Sequence, residues 1–132
     1  MRHRGQCHCG AIRMAFESAR PLAPRACQCG FCRRHGARTV SDPDGKATLA
    51  LGGAVIRYRF ASKAADYILC ATCGIYVGAV AEIEGRILAT LNLNAFDDPH
   101  PDLKGIAISY DGESAAAKAE RRLARWTPLR FA

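Results

Sequence analysis
A chain of 132 residues has the length of one domain with a modest core, and at 49% apolar content it is too hydrophobic to be a disordered tail. No run of the chain approaches the roughly 18 apolar residues of a membrane span, which excludes a spanning helix. The formal charge of +7 would point to nucleic acid, but it counts seven cysteines as neutral, and as thiolates around two zinc ions they would lower it to about +4, so nucleic acid becomes the runner-up partner.

The N-terminus, Met1-Arg2-His3-Arg4-Gly5, is basic, yet no hydrophobic segment follows it, so it does not read as a signal peptide. The expected location is the cytoplasm, where clustered thiols bind metal more often than they form disulfides. The odd number of cysteines also argues against a closed disulfide framework.

The first cysteine pair is Cys7-His8-Cys9-Gly10. Residues two apart on a strand point to opposite faces, so the backbone must turn here for both thiols to reach one metal, and Gly10 permits the turn. Ile12, Met14 and Phe16 then alternate with Arg13, Ala15 and Glu17, a half-buried strand. Pro21 and Pro24 mark a loop. Next comes the cluster Cys27-Gln28-Cys29-Gly30-Phe31-Cys32, followed by Arg33-Arg34-His35-Gly36. Ser41 to Gly45 reads as a turn. Strand-like runs follow at Ala47–Leu51 and Ala54–Phe60, and the Gly52-Gly53 between them predicts a hairpin turn.

Asp66–Leu69 leads into Cys70-Ala71-Thr72-Cys73-Gly74, a zinc-knuckle-like turn. Ile75–Ile83 and Arg86–Leu93 predict two strands joined at Glu84-Gly85. Asn94–Pro101 is a loop carrying Asp97-Asp98-Pro99, and Ile106, Ile108 and Tyr110 predict a last strand. A C-terminal helix is expected to begin near Gly112 with Asp111 as its cap, to bury Ala116, Ala119, Leu123 and Trp126, and to be closed by Pro128. Glu113 at its start and Arg121, Arg122 and Arg125 at its end suit the helix dipole, with the arginines as a solvated face. The whole predicts one mainly β domain over residues 1–132 with a C-terminal helix.

All seven thiols lie in clusters. A closed structural zinc site takes four ligands, whereas a catalytic site keeps three and one open position. Seven cysteines divide naturally as four plus three, with Cys7 and Cys9 joining Cys70 and Cys73, and with Cys27, Cys29 and Cys32 by themselves. Spacing alone does not force that division, because the triple could borrow Cys70. Reduced buried thiols and iron–sulfur ligation are the other readings.

In these motifs the chain resembles the glutathione-dependent formaldehyde-activating enzyme family, which includes centromere protein V. The matching residues are Gly5-x-Cys7-x-Cys9-Gly10, then Cys27-x-Cys29-x-x-Cys32-Arg33-Arg34, then Cys70-x-x-Cys73-Gly74, with a later Asp97-Asp98-Pro99. The resemblance spans about residues 5–99. It implies a β-tent fold, small antiparallel sheets held by a structural zinc at Cys7, Cys9, Cys70 and Cys73. It also implies a labile catalytic zinc at Cys27, Cys29 and Cys32. The implied activity is that of a carbon–sulfur lyase, adding formaldehyde or a similar small aldehyde to the thiol of glutathione. Two features depart from the pattern: Gly30-Phe31 stands where the family often has a small polar residue, and the Arg-rich C-terminus is not the expected one.

Glutathione carries two carboxylates, and arginine forks suit carboxylates, so Arg33 and Arg34 are the candidate substrate-binding residues. His35 is a weaker candidate as fourth ligand or proton donor. His8 is expected to point away from the metal. Asn92 and Asn94 are expected to cap backbone, and Asp97 and Asp98 to organise their loop through side-chain-to-backbone bonds. The competing reading is a non-enzymatic zinc-stabilised module that binds a partner or nucleic acid through its basic surface.

Overall fold
The computed structural model describes residues 1–132. Two groups of strands are joined by the C-terminal one. In the first group, β1 (Arg2–Gln6) and β2 (Ile12–Glu17) form an antiparallel hairpin, and the other edge of β2 pairs with β5 (Lys46–Leu51). Ile12, Met14 and Phe16 are buried while Arg13 and Glu17 face solvent, as the alternation of a pleated strand requires.

In the second group, β6 (Val55–Tyr58), β7 (Asp66–Cys70), β8 (Tyr76–Ile83) and β9 (Arg86–Asn92) run as an antiparallel meander. β8 is almost wholly buried, because the C-terminal helix and the other strands cover both its faces. The far edge of β9 carries β4 (Thr39–Val40), which pairs with β3 (Arg25–Cys27), and β3 pairs with β10 (Ile106–Ile108). A six-residue helix, α1 (Gly30–His35), follows β3. A short 3-10 turn, Leu93–Ala95, follows β9, and α2 (Ala115–Arg125) precedes the final strand β11 (Thr127–Phe131).

β11 switches between the groups. Thr127 and Pro128 pair with β9, and Leu129 to Phe131 pair in parallel with β5. The sheets therefore share one strand, and their common core contains Phe16, Leu49, Ile68, Val77, Leu91 and Leu129. The mainly β architecture with a C-terminal helix is as expected. Pairing is antiparallel except for β3 with β10 and β5 with β11. No helix is long and apolar enough to cross a membrane.

Several local expectations are corrected. Gly52-Gly53 does not close a hairpin, because both edges of β5 are already occupied by β2 and β11. The Gly52 amide instead donates to the Ala11 carbonyl, and a Cβ at Gly52 would sit 2.8 Å from that oxygen. The cap of α2 is Ser114, whose hydroxyl accepts from the Ala117 amide, and Asp111 lies in the turn before it. On α2, Ala116 is exposed and Arg122 is the one buried residue, with Leu123 partly buried and the C-cap Trp126 buried just beyond the helix. The strand at Ile106–Ile108 is not the last one, since β11 follows. The Asp97-Asp98-Pro99 loop is tied by the Asp97 amide to the Arg4 carbonyl, with both carboxylates exposed, rather than by side-chain bonds.

Candidate metal centres
The turn between β1 and β2 carries Cys7 and Cys9. The Gly10 amide donates to the Cys7 carbonyl, and Gly10 adopts φ +82°, where a side chain would be strained. The turn between β7 and β8 carries Cys70 and Cys73, closed by the Gly74 amide on the Cys70 carbonyl with Gly74 at φ +80°. These two turns meet. The sulfurs of Cys7, Cys9, Cys70 and Cys73 all lie within 4.8 Å of one another, with Cys7 to Cys9 at 3.7 Å and Cys9 to Cys70 at 3.6 Å. Four sulfurs at about 2.3 Å from one tetrahedral zinc stand roughly 3.8 Å apart, so the set fits a closed four-thiolate site. The Ile12 amide points at the Cys7 sulfur and the Cys73 amide at the Cys70 sulfur, as thiolate ligands require.

The second set is Cys27, Cys29 and Cys32, again within 4.8 Å. Cys27 ends β3, Cys29 is the N-cap of α1, and Cys32 lies in its first turn. The Cys29 sulfur accepts from the Cys32 amide at 3.3 Å, so the helix start itself holds this thiol towards its neighbours. The set stands apart from Cys70, so the structure brings the cysteines together as four and three.

Without a metal, each set shares its protons. A hydrogen bond from the Cys32 thiol lowers Cys27 to about 6, and the same bond, with burial, raises Cys32. In the other set the Cys9 amide lowers Cys73 to about 6. The Ala11 amide pulls Cys9 down, but proton sharing with Cys70 and burial prevail and raise it to about 11. Metal binding must displace the retained protons.

Three surroundings bear on the triple. A groove of about 390 Å³ borders Cys27 and Cys32 and is lined by Arg33, Arg38, Asn94 and Lys104. Arg33 is exposed there, whereas Arg34 turns back and donates to the Gly30 carbonyl of its own helix at 3.0 Å. Arg38, which sequence reasoning missed, is held by Asn94 and by the carbonyls of His100 and Leu103. On the second side, Phe31 packs against Tyr67, Tyr76, Phe60 and Tyr58, with the His35 ring at 4.5 Å. His35 is thus an exposed stacking residue, and His8 is exposed between its two cysteines. Asn92 and Asn94 cap backbone as expected: Asn92 donates to the Tyr76 carbonyl and accepts from the Asn94 amide, and Asn94 donates to Gly36.

The third surrounding is the C-terminal helix, which keeps Arg125 in solvent as expected but corrects the reading of Arg121 and Arg122 as a solvated face. Arg122 is only 5% exposed and lies over the Trp126 ring at 4.7 Å. Arg121 is held by both Glu113 oxygens and stacks on Tyr110 at 3.6 Å. Arg25, Arg121 and Arg122 line a cleft that also contains Cys27 and Cys32. The signal was unreadable in sequence, because a triple-arginine helix end is most often surface.

A chain whose cysteines form a four-sulfur and a three-sulfur set on a mainly β frame is a zinc-binding-type domain by the chemistry of its donors. The sequence profile of the glutathione-dependent formaldehyde-activating enzyme family matches residues 2–110, and the chain belongs to that family. A crystal structure of a Rhodobacter sphaeroides protein is similar, with 29% identity and a TM-score of 0.60, covering 79% of this chain and 97% of that one. The family match stops before α2 and β11. Family membership supports a function of the glutathione-dependent formaldehyde-activating type.

Proposed function
We propose that the protein is a zinc-dependent carbon–sulfur lyase that joins a small aldehyde to glutathione or a similar thiol. The supporting observation is the isolated three-sulfur set bordered by a cationic groove, a donor set one ligand short of closure. In this reading Cys7, Cys9, Cys70 and Cys73 hold a structural zinc, and Cys27, Cys29 and Cys32 hold a second, exchangeable one. Zinc at the triple would supply an open position that lowers the pKa of an incoming thiol.

The chain's own residues do the rest. Arg33 and Lys104, free of carboxylate partners, hold the substrate carboxylates in the groove, and Arg38 adds its charge from a fixed position. Arg34 would join them only by leaving Gly30. Phe31, Tyr67 and Tyr76 exclude water from one side of the sulfurs. Holding the thiol sulfur beside the aldehyde carbon makes the addition effectively unimolecular. The carbon–sulfur bond forms as the carbonyl π pair moves to oxygen, and the proton lost by the thiol is returned to that oxygen from water.

The test is zinc per chain before and after dialysis against millimolar glutathione, with exchange between formaldehyde and its glutathione adduct followed by NMR. Two zincs falling towards one with the fold retained, and exchange faster than in buffer, support the reading. Two zincs that both stay, with no acceleration, overturn it in favour of a binding module. That alternative rests on Arg2, Arg4, Arg13 and Arg130, which gather around a second hollow away from the cysteines.

A further inference from the structure
We infer that the cleft between the three-cysteine set and the C-terminal helix is a subsite for a single small carboxylate, with Arg122 as its main ligand and Arg25 as its second. This deepens the proposed function, and rests on it for the identity of the reaction.

Arg122 is 5% exposed, its Nε has no hydrogen-bond partner, and no carboxylate lies within salt-bridge distance of it; its charge meets only the Tyr67 hydroxyl and the Trp126 ring. A buried cation without an anionic partner is costly, since neither a phenol hydroxyl nor an indole ring neutralises its charge. Its neighbour Arg121 shows what satisfaction looks like on this helix, with two bonds from Nε and Nη2 to Glu113 and a ring stacked at 3.6 Å. Arg25 also lacks a carboxylate partner, and both it and Arg122 line the same cleft.

The cleft is about 50 Å³ and is walled by Tyr67, Tyr76, Tyr110 and Trp126. On the same measure a water needs roughly 10–15 Å³, so the space suits a three-atom group and not a tripeptide. The charge also fits. Three thiolates around one dication carry a single net negative charge, and two unpaired guanidiniums exceed it by one. The remaining charge matches one carboxylate. Cys27 and Cys32 border both this cleft and the open groove. A carboxylate in the cleft would therefore sit against the same two cysteines that border the groove, close to the reacting centre. It could come from an α-oxo acid aldehyde or from a short mercapto acid. Glutathione's own carboxylates are well served by the groove.

Trp126 is the only tryptophan of the chain and lies under the Arg122 guanidinium, so its fluorescence reports the cleft directly. The experiment titrates zinc-loaded full-length protein with formate and acetate at constant ionic strength, with chloride and acetamide as controls. The expected result is a saturable change with both carboxylates, absent with acetamide, and at least tenfold weaker in Arg122→Gln. Arg122→Lys, which keeps the charge and loses the fork, falls between. No saturable change in the folded wild type, or equal changes with acetate and acetamide, overturns the subsite and leaves Arg122 as a counter-charge to the cysteines. This wild-type comparison stands even if Arg122→Gln fails to fold. Glyoxylate and mercaptoacetate, each set against formaldehyde and 2-mercaptoethanol, identify which reactant brings the carboxylate. Carboxylate binding without formaldehyde exchange would sink the proposed reaction and keep the subsite; exchange without carboxylate binding would do the reverse.

Discussion

At the scale of single residues, the two cysteine sets differ in what a substitution removes. Cys70 is fully buried within the main core, and its sulfur takes part in a four-sulfur set that ties two turns together. Cys29 is half-buried and caps a six-residue helix. Serine is itself a good N-cap, so Cys29→Ser keeps the cap and loses only a metal ligand. Cys29→Ser is expected to lower zinc by one per chain while shifting the thermal midpoint by only a few degrees. Cys70→Ser is expected to unfold the protein or lower the midpoint several times further. Thermal melts with zinc analysis decide it, and equal losses would show the triple to be structural.

Asp42 gives a pH prediction at the same scale. It is 3% exposed; burial works against its charge, but the Ser18 hydroxyl, the Asp44 amide and Arg20 together hold its carboxyl below the usual 3.8. A carboxyl lowered in the folded state contributes stability that is fully present above the unfolded value. That contribution is lost as pH falls through the folded value. Asp42→Asn is therefore expected to be less stable than wild type at pH 7, with the gap narrowing below about pH 4. Urea midpoints at pH 7, 4 and 3 measure it, and a gap that widens on acidification contradicts the assignment.

At the scale of elements, β11 and the close approach at β1 carry the predictions. Trp126 joins α2 to β11 and is packed with Ala79, Ala81 and Leu88. Trp126→Ala is expected to cost about 3–5 kcal/mol, a value typical of a buried aromatic truncated to alanine. Denaturant unfolding measures it. The loss should exceed that of Phe131→Ala, since Phe131 is 39% exposed. At Gly5 a Cβ would stand 2.4 Å from the Ala95 carbonyl oxygen, where β1 bridges to Phe96. Gly5→Ala must push β1 off that backbone, at a cost of about 1–3 kcal/mol as in other overpacked sites. An unchanged urea midpoint would refute this close packing.

At the scale of the whole molecule, the four-cysteine set joins the β1–β2 turn of one strand group to the β7–β8 turn of the other, and β11 joins them again elsewhere. With zinc bound at both sets as proposed, removing the ion of the four-cysteine set should therefore loosen the structure more than removing that of the three-cysteine set. A mild chelator is expected to take one zinc with the circular dichroism unchanged. A strong chelator should take the second and lower the thermal midpoint by tens of degrees. Loss of both ions in one step would contradict two sites of different accessibility.

Much of this was readable from local pattern. Alternation in Ile12–Glu17 marked a half-buried strand, Glu84-Gly85 marked a turn, and three cysteine motifs in order marked the family, because each depends on a few adjacent residues. The four-and-three division of the cysteines was suggested by number but decided by folding, since Cys7 and Cys70 are 63 positions apart in sequence and only the packed sheets bring their turns together. The Gly52-Gly53 turn misled because hairpin chemistry is local, whereas the free edges of β5 are taken by β2 and by a strand some 80 residues later in the chain. Most of all, the burial of Arg122 beside Cys27 and Cys32 depends on how α2 docks. A guanidinium near a helix end carries no local mark of whether water or protein will surround it. By itself, then, the sequence determined the ligand types, the strand periodicity and the family. Which residues face the three-cysteine set was decided by tertiary packing, because long-range strand pairing alone fixes where a helix outside the family's shared region comes to rest.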